Sequence, residues 1–368
     1  MINDKEIKIQ VSNNNKTHLS MKTGLLIIAA AASMALASCS NDEPVATETG
    51  RAIDFRPALG ARSRATETTN ANLTAINVTA FIGDGVLFKQ TEFTKGSDGY
   101  FVSSPEYYWP GDDSEVDFYA YSPAAPGGQF TFTSASKTLS DFAPAATMDQ
   151  QVDFITSVAS GKKSANEAAG VELTFNHQLS QIEVRAKTDN TAYTYKISGV
   201  RIGKPVASGS YDFNTNAWTL GSDKAIYTEE YDTPRTLTST LATMMGDEGN
   251  AMLLPQQLTA WAPTTDGTNS AQGAYLSVKL EIESAETGVQ VYPFPSNANC
   301  QWASIPIDDN WEAGKKYIYN LDFTHGAGYV DPNDPIPGTP VLGGPIKFTV
   351  SVVDWDDVTK DEPMTTVE

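Results

Sequence analysis

The sequence predicts an all-β protein built as two β-sandwiches in tandem, and three observations carry that expectation. Beyond residue 51 the apolar residues recur with period two and almost never with helical spacing. Threonine, tyrosine and valine are abundant, while glycine, proline, asparagine and aspartate interrupt at short intervals, as in antiparallel strands joined by turns. About 330 of the 368 residues follow an N-terminal leader, enough chain for two cores.

Taken in order, Ile53 and Phe55 begin a short strand, and Ile76, Val78, Ala80 and Ile82 mark a longer one. Val116, Phe118 and Ala120 form another, and Phe130 and Phe132 continue the series. In Val171–Ala186 the apolar residues stand at odd positions through Leu179 and at even positions from Ile182. One face stays buried only if the strand is irregular between them, which predicts a β-bulge or bend near Ser180 and Gln181. The polar, lysine-containing run 159–166 is expected to separate a sandwich over 52–165 from one over 166–356. In the second, strands are expected at Tyr193–Ile197, Val200–Ile202, Leu276–Ile282, Tyr317–Phe323 and Ile346–Val352. The proline- and glycine-rich segment Gly326–Pro345 is expected to be a long exposed loop, and 357–368 a short tail.

Residues 21–38 have the form of a bacterial lipoprotein signal peptide: Lys22, a short apolar run, then Leu36-Ala37-Ser38 directly before Cys39. Attaching a diacylglycerol by a thioether needs a thiol held at the membrane surface, and the small residues before it fit the peptidase. Cys39 is therefore the expected lipidation site and first mature residue. Leu25–Ala37 falls short of the ~20 apolar residues that a spanning helix needs. The polar stretch 1–20 does not suit a signal peptide, so translation is expected to start at Met21. Residues 39–51 are small, acidic and turn-forming, as in a tether.

The formal charge of −20 repels phosphate backbones, which argues against a nucleic-acid partner. With Cys39 lipidated, Cys300 has no partner for a disulfide and is expected to be a buried small side chain. There is no His-Glu-x-x-His, no paired Cys-x-x-Cys and no phosphate-cradling glycine loop, so neither metal, cofactor nor enzymatic activity is expected. A glycosidase needs two carboxylates at a fixed separation; the 45 acidic residues read instead as solvated loop charges. His177, on an apolar strand face with no second histidine nearby, reads as a hydrogen-bonded core residue rather than a ligand. Asp331-Pro332-Asn333-Asp334-Pro335 clusters oxygens but lacks the spacing and closing glutamate of a calcium loop. Six tryptophans suit cores and sheet ends; as sugar-stacking platforms they would serve the alternative of a monomeric, surface-anchored glycan-binding lipoprotein.

Several pieces taken together resemble the fimbrillin family, the lipoprotein-precursor pilins of Bacteroidales. They are the signal sequence ending at Cys39, Tyr107-Tyr108-Trp109-Pro110 followed by Phe118-Tyr119-Ala120-Tyr121, and Leu173-Thr174-Phe175-Asn176-His177-Gln178-Leu179-Ser180. Met252-Leu253-Leu254-Pro255-Gln256-Gln257-Leu258, Trp311–Tyr319 and Val350-Ser351-Val352-Val353-Asp354-Trp355 follow in order. Ser40-Asn41-Asp42-Glu43 is similar to the acidic tag of surface lipoproteins in Bacteroidetes.

The resemblance implies a pair of transthyretin-like sandwiches in a non-enzymatic pilus subunit, whether stalk, tip or accessory, with a role in adhesion. It implies export as an outer membrane lipoprotein precursor, held to the membrane only through Cys39. An arginine-specific protease then removes the first strand, and a strand from another pilin subunit fills the groove. The implied cut sites are Arg62 and Arg64, in a small-residue loop after the Ile53/Phe55 strand; Arg51 precedes that strand and Arg56 is followed by Pro57. Physically, a donated strand restores both backbone pairing and apolar burial. Four or five apolar side chains at ~1.5–3 kcal/mol each would contribute on the order of 10 kcal/mol before the cost of ordering the donor. The residues after Trp355 are acidic and carry Pro363, a poor donor strand, so the resemblance leaves either a tip, accessory or anchor role or a mobile last strand.

Overall fold

The computed structural model describes residues 50–58, 68–246, 249–264 and 273–355. Cys39, Arg62, Arg64, the leader and the tail 357–368 lie outside the described residues. Nearly all the regular secondary structure of the described chain is strand, as its alternation predicts.

The first half comprises β1 (Phe55–Ala58), β2 (Ala75–Ile82), β3 (Gly85–Lys95), β4 (Phe101–Val102), β5 (Val116–Ser122), β6 (Gln129–Phe132), β7 (Lys137–Phe142), β8 (Ile155–Gly161), β9 (Val171–Thr174) and β10 (Asn176–His177). Eight of these make one sheet in the order β10-β8-β5-β2-β3-β4-β1-β9. Its two ends, β10 and β9, are separated only by Phe175, so the sheet returns on itself. The enclosed core contains Ile53, Phe55, Ile76, Val78, Phe93, Phe118 and Leu173, the inward members of the period-two pattern.

The second half comprises β11 (Ser180–Lys187), β12 (Tyr193–Val206), β13 (Gly209–Asp212), β14 (Ala217–Leu220), β15 (Lys224–Thr236), β16 (Ala242–Thr243), β17 (Ala251–Leu253), β18 (Gln256–Gln257), β19 (Tyr275–Ser284), β20 (Gln290–Tyr292), β21 (Trp302–Pro306), β22 (Asn310–Trp311), β23 (Lys315–Asp322), β24 (Tyr329–Val330) and β25 (Lys347–Asp354). One sheet runs β15-β12-β19-β21-β24, with β20 on β19; a second runs β16-β11-β23-β25, with β17 on β11. Ile182, Val184, Ile197, Val200, Leu276, Val278, Tyr317 and Tyr319 belong to the core they form. The two strands expected at Tyr193–Ile197 and Val200–Ile202 are one strand, β12, with a register shift between Ile197 and Gly199.

The halves also share a sheet. β6 and β7 leave the first sheet and join β13 and β14 in the order β14-β13-β7-β6. Against it pack Phe81, Tyr119 and Tyr121, on the outer face of β2 and β5, together with Phe132, Leu139, Tyr211 and Phe213. Tyr119 and Phe213 meet edge to face at 6.4 Å, and Tyr121 stacks on Phe130 at 4.0 Å. Alternation alone leaves that outer face to water; the covering sheet buries it.

The parity change in Val171–Ala186 is present as a bend at Gln178–Leu179, where the chain passes from the first sheet to β11. The change of sheet, not an inserted residue, shifts the inward positions from odd to even. The run 159–166 ends β8 and forms a single helical turn, while β9 and β10 beyond it still pair with β1 and β8.

Gly326–Pro345 corrects an expectation: it is irregular, but it is not an exposed loop. Ala327, Val330, Asp331 and Val341 are fully buried, and β24 pairs with β21. Gly328, with φ +81°, lies so close to the Ser304 carbonyl that a Cβ would sit 2.6 Å from its oxygen. The Asp331 carboxylate meets Arg201 at 3.1 Å and accepts from Ser277 at 2.5 Å, and Asp334 accepts the N–H groups of Gln301 and Trp302. These two carboxylates fasten a strap across the sheet.

On β11, Glu183 is buried yet bridged to Arg185 at 2.7 Å and Lys316 at 2.9 Å. Burial pushes its carboxyl up, but the hydrogen bonds and charges of Arg185 and Lys316 outweigh this and hold it below the ordinary value of 4.5. A depressed folded-state pKa contributes stability that is present above the unfolded value and lost as pH falls through the folded one. Glu183→Gln is therefore expected to lower unfolding free energy by about 1.5–3 kcal/mol at pH 7. In urea titrations the gap between variant and native protein should close as pH falls below the unfolded value.

Candidate functional site: the seat of the first strand and the edge of the last

β1 lies between two neighbours. It meets β4 antiparallel at Phe55–Phe101 and runs parallel to β9 through all four residues, from Phe55 opposite Val171 to Ala58 opposite Thr174. The Ile53 N–H donates to the Tyr107 carbonyl at 2.7 Å, and the Ala58 carbonyl accepts from the Phe175 N–H at 3.0 Å. Phe55 is wholly buried, edge-on to Phe93 at 4.8 Å and to Phe118 at 5.1 Å.

Ile53 is also buried, whereas Pro57 and Ala58 are half-buried. The seat thus takes two large apolar side chains rather than four or five. On transfer values their burial contributes ~3–6 kcal/mol, less than the sequence estimate, leaving backbone pairing a larger share of the hold. Just before β1, Arg51 pairs with Asp54 at 2.7 Å and lies over the Tyr100 ring. Burial raises the Asp54 carboxyl above its ordinary range against the pull of Arg51. Arg56 is inside the strand itself.

The connection from β1 to β2 returns to described chain at Thr68, whose N–H donates to Asp153 Oδ2 at 2.7 Å. The other oxygen of Asp153 meets His177 Nδ1 at 2.9 Å, and the imidazole lies flat on the indole of Trp355, centroids 4.5 Å apart at 10°. His177 is the buried, hydrogen-bonded core residue expected from its strand face. Asp153 carried no signal in the sequence, being one more acidic residue in an irregular stretch.

β25 is an edge strand, laddered to β23 over its full length. Its register sets Phe348, Val350 and Val352 beside Leu321, Tyr319 and Tyr317, three core residues. Yet Phe348 is 36% exposed and Val352 53%, because the facing sheet does not cover this edge. The buried residues Ile346 and Trp355 flank the strand at its two ends, and the Trp355 N–H donates to the Gly314 carbonyl at 2.9 Å. The edge strand of the other sheet, β15, carries Glu229, Glu230, Asp232 and Pro234, residues that discourage pairing by a further strand. Between Lys347 and Asp354, β25 carries no charge and no proline.

None of the six tryptophans is exposed. Trp218, the half-buried one, donates its indole N–H to the Gln178 carbonyl at 2.7 Å. The sugar-platform reading therefore lacks an exposed tryptophan. Cys300 is buried as expected, with burial raising its thiol pKa.

A curled sheet that takes in a short leading strand, followed by a sandwich that ends on a largely exposed edge strand, defines the chain as an all-β protein of two joined halves. The family model described as fimbrillin-like matches residues 63–355, and the chain belongs to that family. A fimbrial protein from Bacteroides vulgatus is similar in structure, with TM-score 0.57 and 14% identity, covering 83% of this chain and 99% of that one. A candidate cell adhesion protein from Bacteroides uniformis aligns over 84% of this chain and 99% of its own, at 16% identity and TM-score 0.46. The fimbrial anchor protein Mfa2 from Porphyromonas gingivalis aligns over 83% and 98%, at 12% identity and TM-score 0.35. No curated protein matches the sequence.

Phe55 is the side chain on which the seat depends most. Phe55→Ala is expected to cost about 3–5 kcal/mol in urea unfolding of the uncut chain. Faster exchange of the Val171–Thr174 amides should accompany it.

Proposed function

We propose that this chain is a structural subunit of a cell-surface fimbrium, as stalk, tip or accessory component, that serves adhesion and assembles by strand exchange. In this reading the precursor is lipidated at Cys39 and held at the outer membrane. An arginine-specific protease cuts at Arg62 or Arg64, β1 leaves, and the strand of another subunit enters between β4 and β9. The observation that carries the reading is the seat of β1: four residues with two buried side chains, placed between strands that keep their own backbone groups ready for a substitute. β25 supports it from the other end, since an edge strand uncharged between Lys347 and Asp354, with one ladder neighbour among the described residues, is the segment best suited to leave and to donate.

Neither a metal nor a cofactor has a part in this reading, and the protein acts by binding its own kind rather than by catalysis. The partners are other pilin subunits and the processing protease.

Digestion of purified precursor with an arginine-specific protease tests it. The expected products begin at Ser63 or Ala65 and form oligomers that resist detergent, while the double variant Arg62→Ala/Arg64→Ala stays uncut and monomeric. Material from cells that still carries Ile53 and Phe55, with no strand shared between subunits, would overturn strand exchange.

A further inference from the structure

We propose that β1 locks β25 in place through His177, so that removal of the first strand both opens the groove and frees the last strand for another copy of this chain. The inference rests on the strand-exchange reading and adds its control: an unprocessed subunit neither accepts nor donates.

The contacts run without a gap from one strand to the other. β1 ladders to Val171–Thr174, and its last carbonyl holds the Phe175 N–H at 3.0 Å. His177 follows two residues later, on the short β10 that pairs with β8 at only two positions. On one side the imidazole is oriented by Asp153 at 2.9 Å. Asp153 is tied in turn to the N–H of Thr68, the first described residue beyond Arg62 and Arg64. On the other side the imidazole lies against Trp355 at 4.5 Å, nearly parallel. Trp355 is the buried anchor directly after β25, whose own residues are mostly exposed.

Departure of β1 leaves Val171–Thr174 without its ladder partner and cuts the chain leading into Thr68. Two of the supports of His177 are then loosened together: the strand that carries it and the carboxylate that orients it. The indole loses one ring against which it packs, and β25 is left with its ladder to β23, the Ile346 end, and a Trp355 held by its N–H bond to Gly314 and the apolar side chains around Leu179 and Met252. Ile346, buried in the other core, is left as the point about which the strand swings out.

Hydrogen–deuterium exchange on the full chain tests the lock in three forms: uncut native precursor, protease-cut native protein, and uncut His177→Ala. The uncut native protein should protect the Phe348–Val353 amides. Both other forms should exchange there at least tenfold faster, while Tyr275–Ser284 in β19 keeps its protection and reports that the fold is intact. If His177→Ala does not fold, Trp355→Leu, which fills the space but offers no ring, is read in the same way. β25 equally protected in the uncut variant and the uncut native protein overturns the lock. Cut protein that forms oligomers while β25 stays protected also overturns it and leaves strand exchange standing. Cut protein that retains β1 and forms no oligomers sinks strand exchange, and the uncut variant still decides the lock.

Discussion

Val171–Thr174 has one ladder partner among the described residues, and that partner is the strand nearest the start of the described chain. This pairing closes the first sheet. Without it the sheet has two open edges at the rim of an apolar core, and each buried N–H or carbonyl left unpaired costs about as much as a lost hydrogen bond. The closure spans only four residues, and two large side chains, Ile53 and Phe55, fill the space beneath.

The remainder of the molecule is arranged around this closure. The four-stranded sheet borrowed from both halves buries Phe81, Tyr119 and Tyr121, giving β2 and β5 cover on both faces. In the second sandwich the strap over 326–345, fastened by Asp331 and Asp334, covers the end at β21 and β24. β25, into which the strap leads, keeps most of its residues exposed. Burial is thus densest in the middle of the chain and sparse on its last strand.

Much of the architecture was legible because apolar residues in alternation mark strands: β2, β5, β19 and β23 lie where Ile76, Val116, Leu276 and Tyr317 place them. The cover over Asn77, Thr79 and Phe81 was not legible, since it comes from residues far along the chain and alternation reports only local periodicity. The break of parity after Leu179 was visible, but its cause was not, because a bulge and a change of sheet leave the same mark. Pro and Gly in 326–345 correctly indicated irregular backbone; they say nothing of burial, which depends on the distant Arg201. Of the candidate site, His177 was readable as a core residue from its neighbours, and Asp153 was not. Lipidation at Cys39 and cutting at Arg62 or Arg64 rest on sequence pattern.

The thirteen-residue edge strand β15 sets a condition on any fibre made from such units. Glu229, Glu230 and Asp232 confront like charges on a neighbour approaching side by side, and Pro234 withholds a backbone donor from it. Contact along the flank is thereby disfavoured while contact end to end is not. The flank at β15 is thereby guarded against sheet-to-sheet aggregation, whatever the chain assembles with.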